Sequence, residues 1–185
     1  MKNRLLSRLP TRGEVYPVFS TLVFLVYSWA LYRLAWYLPS WMEYLSIPSL
    51  LIITAYTLSF AMFESLVMTG LLVLFSLLFP RGVFAGRFAT LGSLLALAAG
   101  GGAFLLQRQV SMIYRWEIWQ VFAYSAAALV GLALAALAGA WLLQRFERLQ
   151  RLATAVAERM TIFPLLYLPL SLLSLAVVLF RNLFE

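Results

Sequence analysis

Glu64 is the residue of this chain whose type and position could do chemistry. Phe60, Ala61, Met62 and Phe63 precede it and Leu66, Val67 and Met68 follow, near the middle of the apolar stretch Pro48–Phe79. A lone carboxylate in lipid costs about 3 kcal/mol on insertion scales, so the position demands a reason. Helical spacing puts Thr57 and Ala61 on its face, with Ser65 and Thr69 adjacent, which reads as a narrow polar stripe pointing inward. Such a stripe suits a proton or cation relay or a contact for a polar ligand. It equally suits a glutamate that fixes helix register within the protein or against a partner. Arg33, the other embedded charge, can snorkel to the headgroups or pair with Glu64 across the first two helices.

Most other chemistry is excluded by what the chain lacks. There is no His, Cys or Asp, and Lys occurs only at Lys2. Haem, zinc and iron–sulfur ligation ordinarily need His or Cys, so no metal or other cofactor is expected. Ser-His-Asp hydrolysis and aspartyl pairs fail for the same reason. Neither G-x-x-x-x-G-K-[ST] nor G-x-G-x-x-G occurs, which leaves no nucleotide fingerprint. The expectation is a protein without enzymatic activity.

The elements that must position Glu64 follow from hydropathy. Of 185 residues, 64% are hydrophobic and 11% charged, against about half and a quarter in soluble domains. With a mean hydropathy of +0.91, that apolar surface cannot all be hidden from water inside one domain of this size, and the solvent must include lipid. Five apolar stretches, about Pro17–Leu38, Pro48–Phe79, Phe88–Gln107, Ile118–Leu143 and Thr161–Arg181, each exceed the roughly 18 residues that mark a spanning helix. They are too long and too continuously apolar for barrel strands. The expected fold is all-α, a polytopic bundle of five transmembrane helices forming a single domain. Ser28-Trp29-Ala30 satisfies the small-x-small rule of a signal cleavage site, but the apolar run continues to Leu38, which suits a spanning helix better.

Charge sets the orientation. With five spans and the N-terminus inside, ten basic residues lie inside (Lys2, Arg4, Arg8, Arg12, Arg81, Arg87, Arg145, Arg148, Arg151, Arg159) and three outside (Arg108, Arg115, Arg181). Splitting the long second stretch into two spans leaves seven against six, which is hardly a bias. The reading is therefore N-terminus in, C-terminus out, in the cell membrane. Trp36, Tyr37, Trp41, Tyr44, Tyr114, Trp116 and Trp119 fall in the outer headgroup region, with Pro39–Ile47 as a loop lying in that interface.

Packing and surface segments complete the pattern. Small residues at four-residue spacing let helix backbones approach closely in lipid. The third span has Gly92, Ala96 and Gly100, followed by Gly101 and Gly102; the fourth has Ala123, Ala127, Gly131, Ala135 and Gly139. These ridges are expected to pack on each other or on another subunit. After the fourth span, residues 144–160 place Phe146, Leu149, Leu152, Val156 and Met160 at helical spacing, with Arg145, Arg148, Arg151 and Arg159 on the polar side. This amphipathic helix either lies on a leaflet with anionic headgroups or extends the fourth span straight toward a partner. The basic N-terminal segment, residues 1–16, repeats the theme with Arg4, Arg8 and Arg12. Spread over three short segments, the basic residues form no nucleic-acid module, so no nucleic acid is expected. Two functions fit: a non-catalytic accessory or scaffold subunit that binds partner membrane proteins, a second copy or lipids through its small-residue faces, and a small transporter, or its membrane-embedded binding component, using Glu64.

Overall fold

The computed structural model describes residues 9–79, 84, 86–107 and 117–184. Six α-helices and no strand are found among them: α1 (Arg12–Met42), α2 (Ile47–Leu78), α3 (Phe88–Gln107), α4 (Ile118–Arg145), α5 (Glu147–Met160) and α6 (Phe163–Phe184). Among the described residues four stretches are long and apolar enough to cross a membrane: Arg12–Met42, Ile47–Leu78, Ile118–Leu143 and Glu147–Leu183. In the last, a turn at 161–162 divides the chain, and the apolar length belongs to α6. The apolar part of α3, Phe88–Phe104, is shorter.

Local sequence explains the helix limits. Thr11 starts α1, and its backbone N–H donates to the Glu14 carboxylate at 3.0 Å, the reciprocal arrangement of a capping box. The Glu117 N–H donates in the same way to Gln120 Oε1 at 3.0 Å where α4 begins. Ser46 precedes Pro48 at the start of α2, where a missing N–H costs nothing. The 32 residues of α2 form one unbroken helix, roughly 48 Å long.

Two sequence expectations change at the helix ends. Pro39 lies inside α1, which continues to Met42, so the connection to α2 is only 43–46 and not the loop Pro39–Ile47. Proline fixes a helical φ, and Pro39 removes only the N–H that would bond the Ala35 carbonyl in the last turns of α1. At the other change, Phe146 has extended backbone angles (φ −126°, ψ 97°) that separate α5 from α4. The amphipathic segment is therefore a separate helix and not a straight extension of α4.

Helix α1 is central, with α2 and α3 as its main neighbours. α6 packs on α2 and α1, α4 on α3, and α5 against α1, α3 and α4. Val18 and Leu22 of α1 meet Leu91, Leu95 and Ala96 of α3 and Leu143 of α4 in one buried cluster; Val23 and Tyr27 meet Ala61 of α2 in a second. Gly92 lies against Val18 and Gly100 against Leu25, so α1 and α3 run parallel. Tyr27 reaches Leu58 while Phe24 meets Phe163 and Tyr56 meets Asn182, which makes α2 antiparallel to both α1 and α6. The long helices thus alternate in direction. The starts of α1, α3 and α6 share one end of the bundle with α5, and Arg12, Arg87, Arg145, Arg148, Arg151 and Arg159 gather there.

Candidate functional site

The polar residues of α2 divide between two sides of the helix. Ser59, Ser65, Thr69 and Ser76 are buried, whereas Glu64 is exposed beside Phe60, Phe63, Val67 and Met68. One residue turns an α-helix by about 100°, which rotates Glu64 away from Ser65 and out of the bundle. The expected inward polar stripe is therefore two features: a buried line of hydroxyls and an outward carboxylate. Apolar side chains of α1 and α6 cover the hydroxyl side, and Ala61, small enough to be covered completely, lies with it.

The hydroxyls are committed to their own helix. Ser65 Oγ donates to the Ala61 carbonyl at 2.7 Å and Thr69 Oγ1 to the Ser65 carbonyl at 2.7 Å. Thr57, half-buried, donates to the Ile53 carbonyl at 2.8 Å. Bonds of this i to i−4 kind satisfy a hydroxyl inside lipid without help from another helix. Among the described residues Glu64 has no hydrogen-bond or ion-pair partner.

Arg33 and Glu64 are not brought together. Tyr27 and Leu58 are level with each other; Arg33 lies six residues past Tyr27, and Glu64 six past Leu58 on the antiparallel helix. At 1.5 Å per residue the two charges are separated by about 18 Å along the bundle axis. The Arg33 guanidinium lies instead over the rings of Tyr37 and Trp29, 5.3 and 6.0 Å from their centres. That places it among the aromatic residues at the end of the bundle opposite α5, where Trp29, Tyr32 and Trp36 form one run of ring contacts along α1 and Tyr37 stacks on Trp41.

The polar centre that sequence reasoning missed joins three helices. Tyr27 Oη of α1 bonds with Ser171 Oγ of α6, and both approach the Leu58 carbonyl of α2, at 3.4 and 3.2 Å. The Tyr27 ring stacks on Tyr167 at 4.6 Å, and Tyr167 stacks in turn on Phe163. Both Tyr27 and Ser171 are fully buried, so this is a packed joint and not a ligand site. The available signal was weak: a tyrosine and a serine within apolar runs, 144 positions apart.

The small-residue ridges also part company. A Cβ at Gly92 would lie 2.7 Å from Val18 Cγ2, one at Gly100 3.2 Å from Leu25 Cδ1, and Ala96 is almost wholly buried. The α3 ridge therefore packs on α1 and not on the α4 ridge. Gly139 lies 3.4 Å from Leu91 by the same measure, but Gly131 meets nothing within 4 Å and Ala123, Ala127 and Ala135 are exposed. Helix α3 passes through Gly100, Gly101 and Gly102 without a break.

Helix α5 splits its apolar stripe between two surroundings. Ala157 is buried and Ala153 packs against the first cluster, while Leu149, Leu152 and Val156 are exposed. Arg148 and Arg159 project beside that exposed edge, as the helical period requires. An open groove of about 570 Å³ follows the opposite, polar side, lined by Glu147, Gln150, Arg151, Thr154, Ala155 and Glu158. Arg12 opens α1 and Arg145 closes α4 at the same end; Arg4 and Arg8 lie outside the described residues.

No cluster of metal-binding side chains occurs among the described residues. Compared with known protein families, curated proteins and solved structures, the chain matches none.

Proposed function

We propose that the chain is a non-catalytic, five-span protein of the cell membrane, N-terminus inside and C-terminus outside, serving as an accessory or scaffold subunit. Its ligands are partner membrane proteins and anionic lipid. The observation that carries this reading is that Glu64 and the Ala127–Gly131–Ala135 ridge both face away from the bundle. Polar groups and close-packing surfaces are costly or useless against hydrocarbon, and both are natural at a helix–helix interface. The alternating helix directions support five crossings, and the basic end supports the orientation through the preference for Lys and Arg on the cytoplasmic side. Exposed Leu149, Leu152 and Val156 beside Arg148 and Arg159 suit a surface helix on an anionic leaflet, where each basic residue contributes about 1 kcal/mol.

The test is purification of the tagged full chain in native nanodiscs, followed by mass spectrometry. The expected result is a second protein, or a second copy, at constant stoichiometry, released by Gly131→Leu while the chain itself stays folded. Recovery of the chain alone, together with proton or solute flux in vesicles that Glu64→Gln abolishes, overturns the subunit reading in favour of a small transporter using Glu64.

A further inference from the structure

Glu64 is the eighteenth of the 32 residues of α2, about 26 Å from one end of the helix and 21 Å from the other. Glu64 therefore lies well inside an apolar helix that is longer than the roughly 30 Å thickness of the hydrocarbon layer. Its surroundings on the same side are Phe60, Phe63, Val67 and Met68, all exposed and all apolar. A lone carboxylate among them faces hydrocarbon unless another molecule covers it, and charged groups at this depth are normally paired.

Resting on the subunit reading above, we infer that the Glu64 side of α2 receives a transmembrane helix of another membrane protein that carries Arg or Lys at the level of Glu64. Charge complementarity selects this occupant over a second copy of the chain. No Lys or Arg occurs in residues 47–78, 88–107 or 118–143, and those of α1 and α6, Arg12, Arg33 and Arg181, lie at other levels of the bundle, Arg33 about 18 Å from Glu64 along the axis. Arg33 is also engaged by its aromatic neighbours. Against Glu64 a second copy thus offers no cation, only another carboxylate. A partner's Arg or Lys supplies the opposite charge and up to five or three donors respectively. The ring-bearing side chains of Phe60 and Phe63 then cover the pair from lipid, where electrostatic attraction is strong.

The experiment exploits the absence of cysteine from the chain. A single Tyr44→Cys variant, labelled at that exposed turn, is reconstituted in phosphatidylcholine vesicles with synthetic Leu-Ala spanning helices bearing an acceptor dye. One probe has a central Arg and the other a central Leu. Energy transfer is expected to show the Arg helix associating about tenfold more tightly than the Leu helix, the size of one polar contact between helices in lipid. Glu64→Leu is expected to erase the preference without altering helical content, and Glu64→Gln to reduce it. Equal association of the two probes, or a preference that survives in Glu64→Leu, overturns the inference. So does competition by an unlabelled second copy that depends on Glu64, which assigns this side to self-association. The subunit reading is decided separately: a nanodisc partner lost in Gly131→Leu but retained in Glu64→Leu leaves that reading standing and removes this one.

Discussion

The Tyr27 hydroxyl lies where α1, α2 and α6 meet, sharing the Leu58 carbonyl with Ser171 Oγ while its ring stacks on Tyr167. Tyr27→Phe keeps the ring and its stacking, and Ser171 keeps its bond to Leu58. The change should therefore cost about 1 kcal/mol, within the range measured for interhelical hydrogen bonds in lipid. Steric-trap unfolding in bicelles checks it: a loss above about 3 kcal/mol would mean the hydroxyl holds more than this bond. Glu64 shows the complementary case. Its cost in lipid was legible from its neighbours in the sequence, because insertion energy depends on depth and depth follows from chain position. Its direction was not, since Ser65 and Thr57 flank it and only the packing of α1 and α6 decides which of them is covered. For Tyr27 nothing local distinguishes it from the other aromatic residues of α1; its partner is 144 residues away.

At the scale of elements, α3 approaches α1 closely because Gly92 leaves room for Val18. A Cβ there would fall 2.7 and 3.3 Å from the two Val18 methyl carbons. Valine is held to one side-chain rotamer in a helix, so it cannot swing aside, and the backbones must separate. Gly92→Ala is expected to destabilise the chain by roughly 1–3 kcal/mol. Gly131→Ala, with nothing within 4 Å, is expected to be neutral or slightly stabilising in the isolated chain. Thermal unfolding of the two variants in the same detergent separates them; equal losses would show that α3 does not seat on α1 through Gly92. The spacing of small residues announced close approach but could not name the neighbour, since Gly92 and Gly131 carry the same signal and differ only in what stands opposite. For α5 the split stripe leads to a further expectation. A spin label at Leu152→Cys should be accessible to oxygen dissolved in lipid, and one at Thr154→Cys or Gln150→Cys to a water-soluble nickel chelate. The reverse pattern would turn the helix over.

For the whole molecule, direction and charge make one joint expectation. Tyr44, in the turn between α1 and α2, and Gln150, on α5, lie at opposite ends of the bundle. In sealed right-side-out membranes a membrane-impermeant maleimide should label Tyr44→Cys and leave Gln150→Cys untouched until the membrane is opened. Labelling of Gln150→Cys from outside would invert the orientation, and labelling of both would break the alternation of spans.

The helical character, the approximate helix limits and the concentration of basic residues at one end were determined by the sequence itself. The physical reason is that each depends on local composition: the length of an apolar run, a capping residue, or the position of a charge relative to that run. The boundary at Phe146 and the helical placement of Pro39 were legible less well, because either residue accepts more than one backbone conformation. Tertiary structure decided the rest: that α3 packs on α1 through Gly92 and Ala96, that Tyr27 joins Ser171 and Leu58, and that Glu64 faces outward. Those depend on which helix lies beside which and on how each is rotated. In lipid no water-driven burial marks the inner face, so an apolar side chain reads alike whether it meets a neighbouring helix or the bilayer.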